Sequence, residues 1–345
     1  MKKFFYIIPL FIIIIITTFL FSQKKLPSLS EQNINIKKNI GEEQAPEIKK
    51  EYPDSIPSMS EKEFMGSDLK LEKVLDKNDF YTRYSITYKS EGLKISGIMN
   101  IPNGSGPFPV LILNHGYIAP ENYTNGQGLK REQDYFAKNG YVVLHSDYRN
   151  YALSDFDPNN EVRPRSGFME DVLNAISAVK ESDFAFIDKE NIGILGHSMG
   201  GGITLNIMVT KPEIAKAYAL LAPINSDYKM NFERWVVKDW PPEIAEQFYK
   251  IYGTYEENTE VWKSISAKYY LDNIKSPVML HQGTLDEDVP VQWSRDLARD
   301  LKDKGKDVTY YEYPQEGHTF INAQPIVMQR TLEFFDTNLK ETTKK

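Results

Sequence analysis

The sequence predicts an α/β fold, with a mostly parallel central sheet flanked by helices. From Val110 onward, short apolar runs alternate with longer segments of helical period. The runs are apolar throughout rather than every second residue, as strands covered on both faces are. No self-similar period of about 20 to 50 residues appears, which sets aside solenoids and propellers.

A chain of 345 residues with 41% hydrophobic and 12% aromatic content can bury a sizeable core. The formal charge of -7, from 41 Lys+Arg against 48 Asp+Glu, comes without a basic block, so nucleic acid is not an expected partner. Cysteine is absent. That removes disulfides, thiolate metal sites, cysteine nucleophiles and lipoprotein attachment, and leaves chemistry to oxygen and imidazole groups.

In chain order, residues 1–25 contain the uncharged apolar run Phe4 to Phe21, bounded by Lys2-Lys3 and Lys24-Lys25. A bilayer core needs roughly 20 such residues as a helix, so a signal anchor with a transmembrane helix is expected. The rival is a cleaved signal peptide and secretion, although Phe19-Leu20-Phe21-Ser22 offers no small-residue cleavage site. Equal lysine pairs leave the orientation open; an extracytoplasmic catalytic domain is the expectation from the N-terminal position alone. Residues 26–75, rich in Lys, Glu, Asn, Ser and Pro, are expected to be a flexible linker, whose last part around Phe64 to Leu75 is alternatively a short helix. Residues 76–342 are expected to form the catalytic domain.

Within that domain, "YTRYSITYKSEGLKISGIMNIP" alternates polar and apolar residues about Glu91-Gly92, the pattern of a hairpin. The strands "VLILNHG", "YVVLHSDYR", "IGILGHS", "AYALLAP", "PVMLHQG" and "VTYYEYP" follow. Between and after them, helices are expected near Leu129 to Asn139, Gly167 to Glu181, from Met199, near Gln292 to Lys304 and near Gln324 to Leu339. Residues 226–273 interrupt this rhythm and are too long for an ordinary loop. They read as a small helical insertion with its own aromatic packing, as a lid with Trp235, Trp240 and Tyr249 lining a substrate pocket, or as both.

A Gly-x-Ser-x-Gly match alone arises by chance in roughly one chain in ten of this length. Here "IGILGHSMGGG" puts Ser198 directly between a buried strand and a helix, as a nucleophile elbow requires. A serine needs an imidazole base and a carboxylate to orient it, in the order Ser, acid, His. Of five histidines, His115 and His197 belong to the turn segments, and His145 and His281 to strands. His318, on the loop after the last strand, is left as base. Asp286, at the tip of the turn after "PVMLHQG", is preferred as acid to Asp288, which precedes Val289-Pro290 and suits a cap. The backbone N–H groups of Met199 and Tyr117 are the expected oxyanion donors.

The motifs "NHGY", "DYRNYALSD", "GHSMGGG", "HQGTLDEDVPVQWS" and "EGHTF" resemble, in order and spacing, the catalytic domain of the prolyl oligopeptidase family of serine peptidases within the α/β-hydrolase superfamily. The resemblance covers roughly residues 80 to 340. It implies the α/β-hydrolase fold, Ser198, Asp286 and His318 as catalytic residues, Tyr117 and Met199 as oxyanion donors, and a serine-type peptidase without cofactor or metal. Stand-alone domains of this kind also resemble carboxylesterases such as feruloyl and acetyl-xylan esterases, so an ester is the alternative substrate to a peptide. A non-catalytic surface binding protein is the alternative of another class, and a metal hydrolase lacks a His-Glu-x-x-His or any close ligand pair.

Overall fold

The computed structural model describes residues 52–340. The expected anchor and the first part of the linker lie outside these residues. Among the described residues no helix is long and apolar enough to cross a membrane.

One sheet of nine strands organises the domain, in the order β1-β2-β3-β5-β4-β6-β7-β8-β9. Strands β1 (Ser67–Lys77), β2 (Tyr81–Ser90) and β3 (Leu93–Pro102) form an antiparallel edge that joins β5 (Val142–Ser146). The turn between β2 and β3 holds Glu91 at φ 50° and Gly92 at φ 82°, the left-handed pair that a two-residue hairpin turn requires. Strands β4 (Phe108–Asn114), β6 (Ile187–His197), β7 (Ala217–Leu221), β8 (Val278–Gly283) and β9 (Val308–Tyr313) run parallel to β5. All their C-terminal ends therefore open on one side, where the loops gather.

Both faces are covered, as the continuous apolar runs imply. Along β4, Val110 and Ile112 belong to one buried cluster, while Leu111 and Leu113 belong to another across the sheet. Helices α3 (Ser166–Glu181) and α4 (Met199–Thr210) close the first face. Helices α2 (Lys130–Lys138) and α10 (Gln324–Leu339) close the second, and α9 (Val291–Asp303) flanks β8 and β9. Leu111 is fully buried, and truncating such a side chain to alanine costs about 2 to 5 kcal/mol.

The linker reading fails over its last residues. Residues 52–75 hold helix α1 (Ile56–Glu61) and most of β1, so the folded domain begins before residue 76. The helix is earlier than Phe64 to Leu75, and the second piece is a strand. The physical reason is that β1 is an edge strand with nearly every side chain in solvent. Charged residues guard such an edge, which erases the alternation that a half-buried strand displays. Ser55 caps α1 by accepting from the Ser58 amide, while Ile56 and Met59 are buried. Asp54 anchors the segment through Arg163 and the Tyr252 hydroxyl.

The insertion between β7 and β8 is helical. It begins with α5 (Tyr228–Asn231), a π-turn (Phe232–Val236) and α6 (Val237–Asp239). Then come α7 (Pro242–Tyr252) and α8 (Thr259–Ser264). Phe232, Phe248, Tyr252 and Trp262 pack with Tyr228 into a separate aromatic core.

Candidate active site

Ser198 stands between β6 and α4 with φ 56° and ψ -120°, a backbone conformation that costs of the order of 1 to 3 kcal/mol for a residue with a side chain. The surrounding chain enforces it. The Ser198 amide donates to the Leu221 carbonyl at 3.0 Å, and the Ser198 carbonyl accepts from Gly201 at 3.0 Å and Ile224 at 3.2 Å. Gly200 permits the turn: a Cβ there would stand 2.0 Å from the Asn114 carbonyl oxygen. The elbow therefore closes against the end of β4. The N–H of Met199, first residue of α4, is among the helix-terminal amides that no intrahelical carbonyl accepts.

The loop after β4 reaches the same point. Gly116 approaches so closely that a Cβ on it would lie 3.1 Å from the Ser198 Cβ. His115 is buried behind this turn, stacked on Tyr148 at 4.4 Å and Tyr123 at 4.8 Å between ring centres, with Nδ1 2.7 Å from the Gly116 carbonyl. Burial lowers its pKa, so the ring serves as a neutral shelf under the turn. Tyr117 follows, half exposed, its ring 6.0 Å from that of Trp240.

Asp286 and His318 come from the loops after β8 and β9. These loops interlock, since a Cβ on Gly283 would meet the Glu316 carbonyl oxygen at 2.4 Å and the Leu285 amide donates to that carbonyl at 2.9 Å. His318 Nδ1 lies 2.8 Å from Asp286 Oδ2. The same oxygen accepts from Gln282 Nε2 at 2.7 Å, and Oδ1 accepts from the amides of Val289 at 2.8 Å and Asp288 at 3.0 Å. Gln282 is itself held by the Ser294 hydroxyl at 2.7 Å. Burial alone would raise the Asp286 pKa; His318 and these donors outweigh it and hold the carboxyl below its ordinary value. A carboxylate with that many donors is ionised and fixed, and it selects the Nδ1–H form of His318, leaving Nε2 without a proton.

His197 lies beside this pair, its ring centre 4.6 Å from that of His318 and its Nε2 donating to the His318 carbonyl at 3.0 Å. Burial lowers its pKa to about 4. At neutral pH it is an uncharged ring.

Ser198, Met199, Tyr117 and His318 all border one cleft of about 660 Å³. Asp286 stands behind His318 and is not part of the wall, whereas Asp288 reaches the rim. Trp235 and Trp240 line the cleft as expected of lid residues. Tyr249 does not. It packs instead against Phe232 at 5.4 Å in the insertion's own core, because its place on α7 faces that core rather than the sheet. Tyr228, Asn231 and Phe232 contribute wall that the sequence reading missed, as did Arg165. An Arg-Pro-Arg run before a helix was the available signal for the last. Among the described residues there is no cluster of His, Asp or Glu able to hold a metal ion.

The sequence profile described as the prolyl oligopeptidase family matches residues 127–342. An uncharacterized peptidase of Bacillus subtilis is 24% identical over 274 residues, 76% of this chain and 39% of its own length. Dipeptidyl aminopeptidase BIII of Pseudoxanthomonas mexicana is 26% identical over 233 residues, 65% of this chain and 32% of its own. The chain thus spans 32% to 39% of the length of these relatives. Among solved structures, the acylaminoacyl peptidase of Pyrococcus horikoshii superposes with a TM-score of 0.62 at 24% identity, covering 78% of this chain and 43% of that one. Acetyl xylan esterase 1 of Thermoanaerobacterium sp. JW/SL YS485 gives a TM-score of 0.62 at 19% identity, over 87% of this chain and 98% of that one.

Proposed function

The chain belongs to the prolyl oligopeptidase family, and from that premise we propose that it is a serine hydrolase that cleaves peptides through an acyl-enzyme formed on Ser198. The observation that carries the reading is the 2.8 Å Asp286–His318 pair, whose histidine borders the cleft in which the strained Ser198 stands.

In this mechanism His318 Nε2 takes the Ser198 hydroxyl proton as Oγ bonds to the substrate carbonyl carbon. The carbonyl electrons move to its oxygen, which accepts from the N–H groups of Met199 and Tyr117. Asp286 stabilises the imidazolium. When the tetrahedral carbon collapses, the bond to the leaving group breaks and His318 returns the proton to it. Water then adds to the acyl-enzyme by the same steps, releasing the acid and restoring Ser198. An amine departs only once protonated, so peptide cleavage leans on His318 more heavily than ester cleavage does.

A fluorophosphonate is expected to label the protein and to fail on Ser198→Ala. Persistent labelling of that variant would remove Ser198 from its role. Assayed side by side, peptide anilides and short acyl esters separate the substrate classes, and turnover of esters alone would replace the peptidase reading with a carboxylesterase. No labelling at all would favour a non-catalytic binding protein. For location, the reading is an uncleaved N-terminal anchor that holds the domain on the outer side of a membrane. Protease added to intact cells should then cut the C-terminal part.

A further inference from the structure

Three arginines lie between β5 and the start of α3, and two of them are saturated by carboxylates. Arg149 bonds Asp171 through Nε at 3.0 Å and Nη2 at 2.9 Å, and Asp157 through Nη1 at 3.0 Å. Arg163 bonds Asp54 through Nη2 at 2.7 Å and Glu170 through Nη1 at 2.9 Å. Arg165 differs from both. It forms no ion pair among the described residues, although it is half buried.

Its guanidinium is nevertheless held in place. Nη1 lies 3.2 Å from the Met199 sulfur, a weak acceptor, and the guanidinium carbon is 5.2 Å from the Trp240 ring centre and 6.0 Å from that of Phe168. The backbone at Arg165 has φ 64°, uncommon for a residue with a side chain. A guanidinium carries five donors in a planar fork that matches a carboxylate, and one weak contact leaves most of them unused. Arg165 belongs to the wall of the same cleft as Ser198.

The other charges of that wall are spoken for or exposed. Arg131 pairs with the buried Glu132 at 3.7 Å and donates to the Thr319 carbonyl at 3.0 Å, next to His318. Lys130, Asp239 and Asp288 are exposed at the rim. Arg165 is thus the half-buried cation of the cleft without a carboxylate partner among the described residues. It also has a definite end. The leaving group must lie toward His318, which protonates it; Arg165 lies against Met199, whose amide faces the carbonyl oxygen in the proposed reaction.

We propose that Arg165 sets specificity by holding a carboxylate on the acyl part of the substrate. In a peptide this is an acidic side chain on the residue that supplies the scissile carbonyl; in an ester it is the free carboxylate of a half-ester. The inference rests on the serine-hydrolase reading and deepens it.

The test compares matched pairs: p-nitrophenyl esters of butyric acid and of glutaric acid as its half-ester, and peptide p-nitroanilides ending in Gln or Glu. The acidic member is expected to have the higher kcat/KM by about ten- to a hundredfold, the scale of one charge-assisted bidentate contact. The ester and peptide arms show which source of carboxylate is used. Arg165→Met should bring the ratio toward one, and Arg165→Lys should keep part of it. A merely structural loss lowers both members together and leaves the ratio standing. Equal turnover of charged and neutral members by a labelled wild-type protein, or a ratio unmoved in both variants, would overturn the assignment. A wild-type protein that a fluorophosphonate does not label would overturn the hydrolase reading and this inference together.

Discussion

Asp286 and His318 are 32 positions apart in the chain, yet the Asp286 carboxylate accepts from His318 Nδ1 at 2.8 Å. Three further donors fix that carboxylate, so its orientation does not depend on the histidine. Asp286→Asn should keep the fold and lower kcat roughly ten-thousandfold, because an amide no longer selects the Nδ1–H form of His318. Steady-state kinetics with circular dichroism as the folding control would check this. A loss under tenfold would remove Asp286 from its role.

The elbow makes a sharper demand on volume. Gly200→Ala would place a carbon 2.0 Å from the Asn114 carbonyl oxygen, where both partners are backbone and neither can swing aside. A cost of about 3 kcal/mol or more is expected, read as a lowered urea midpoint. A midpoint unchanged within error would mean that the helix and strand are not in contact here.

The partly buried His197 ties stability to pH. Its folded pKa of about 4 lies below the ordinary 6.5, so the unfolded chain takes up the proton more readily. Stability is therefore full above pH 6.5 and falls as the pH drops from 6.5 to about 4, by roughly 3 kcal/mol from this group. Urea melts across that window should show the decline, and His197→Gln should show less of it. Parallel curves for the two proteins would contradict the assignment.

Glu170 acts in a more acid range. Burial pushes its pKa up, but Arg163 and Lys62 outweigh this and leave it lowered. A depressed carboxyl stabilises above its unfolded value of 4.5, and that contribution is lost as the pH falls through the folded value. Glu170→Gln should be less stable than wild type at pH 7, and the gap should close below pH 4.5. A gap constant with pH would point to packing rather than charge.

The arm at Asp54 joins parts of the molecule distant in sequence. Asp54 accepts from the Tyr252 hydroxyl at 2.7 Å and from Arg163, so α7 of the insertion is tied to the segment just before α3. Tyr252→Phe removes one bond to a charged acceptor, worth about 1.5 to 3 kcal/mol. Faster proteolysis between residues 240 and 260, with the remainder of the domain intact, is the expected result. Equal cutting rates would show that other contacts hold the insertion.

The parallel strands and the helices between them were legible because sheet burial on both faces writes an unbroken apolar run into each strand, as at Val110 to Leu113. The positions of Ser198, Asp286 and His318 were legible because each follows a recognisable strand end. Edge strand β1 was not, since only Leu69 and Leu71 are partly buried and its sequence "SDLKLEKVLDK" looks like solvated linker. Tyr249 was misplaced because an aromatic residue in an insertion serves equally well inside a local core or on a cleft, and only the helix rotation decides. The Arg163-Pro164-Arg165 run did not say which of its arginines is left over: whether an arginine is spent on a carboxylate depends on Asp54, Glu170 and Asp171, which approach from other elements.

That rotation has a consequence for how such a cleft diversifies. The π-turn at Phe232–Val236 inserts one residue into a helical run, and each inserted residue turns everything beyond it by about 100°. Deleting a single residue there would carry Trp240 around the helix axis and redraw the cleft wall while leaving the nine strands untouched. The sheet that carries Ser198, Asp286 and His318 and the wall that the insertion adds to the cleft are therefore separately mutable, by gain or loss of one codon.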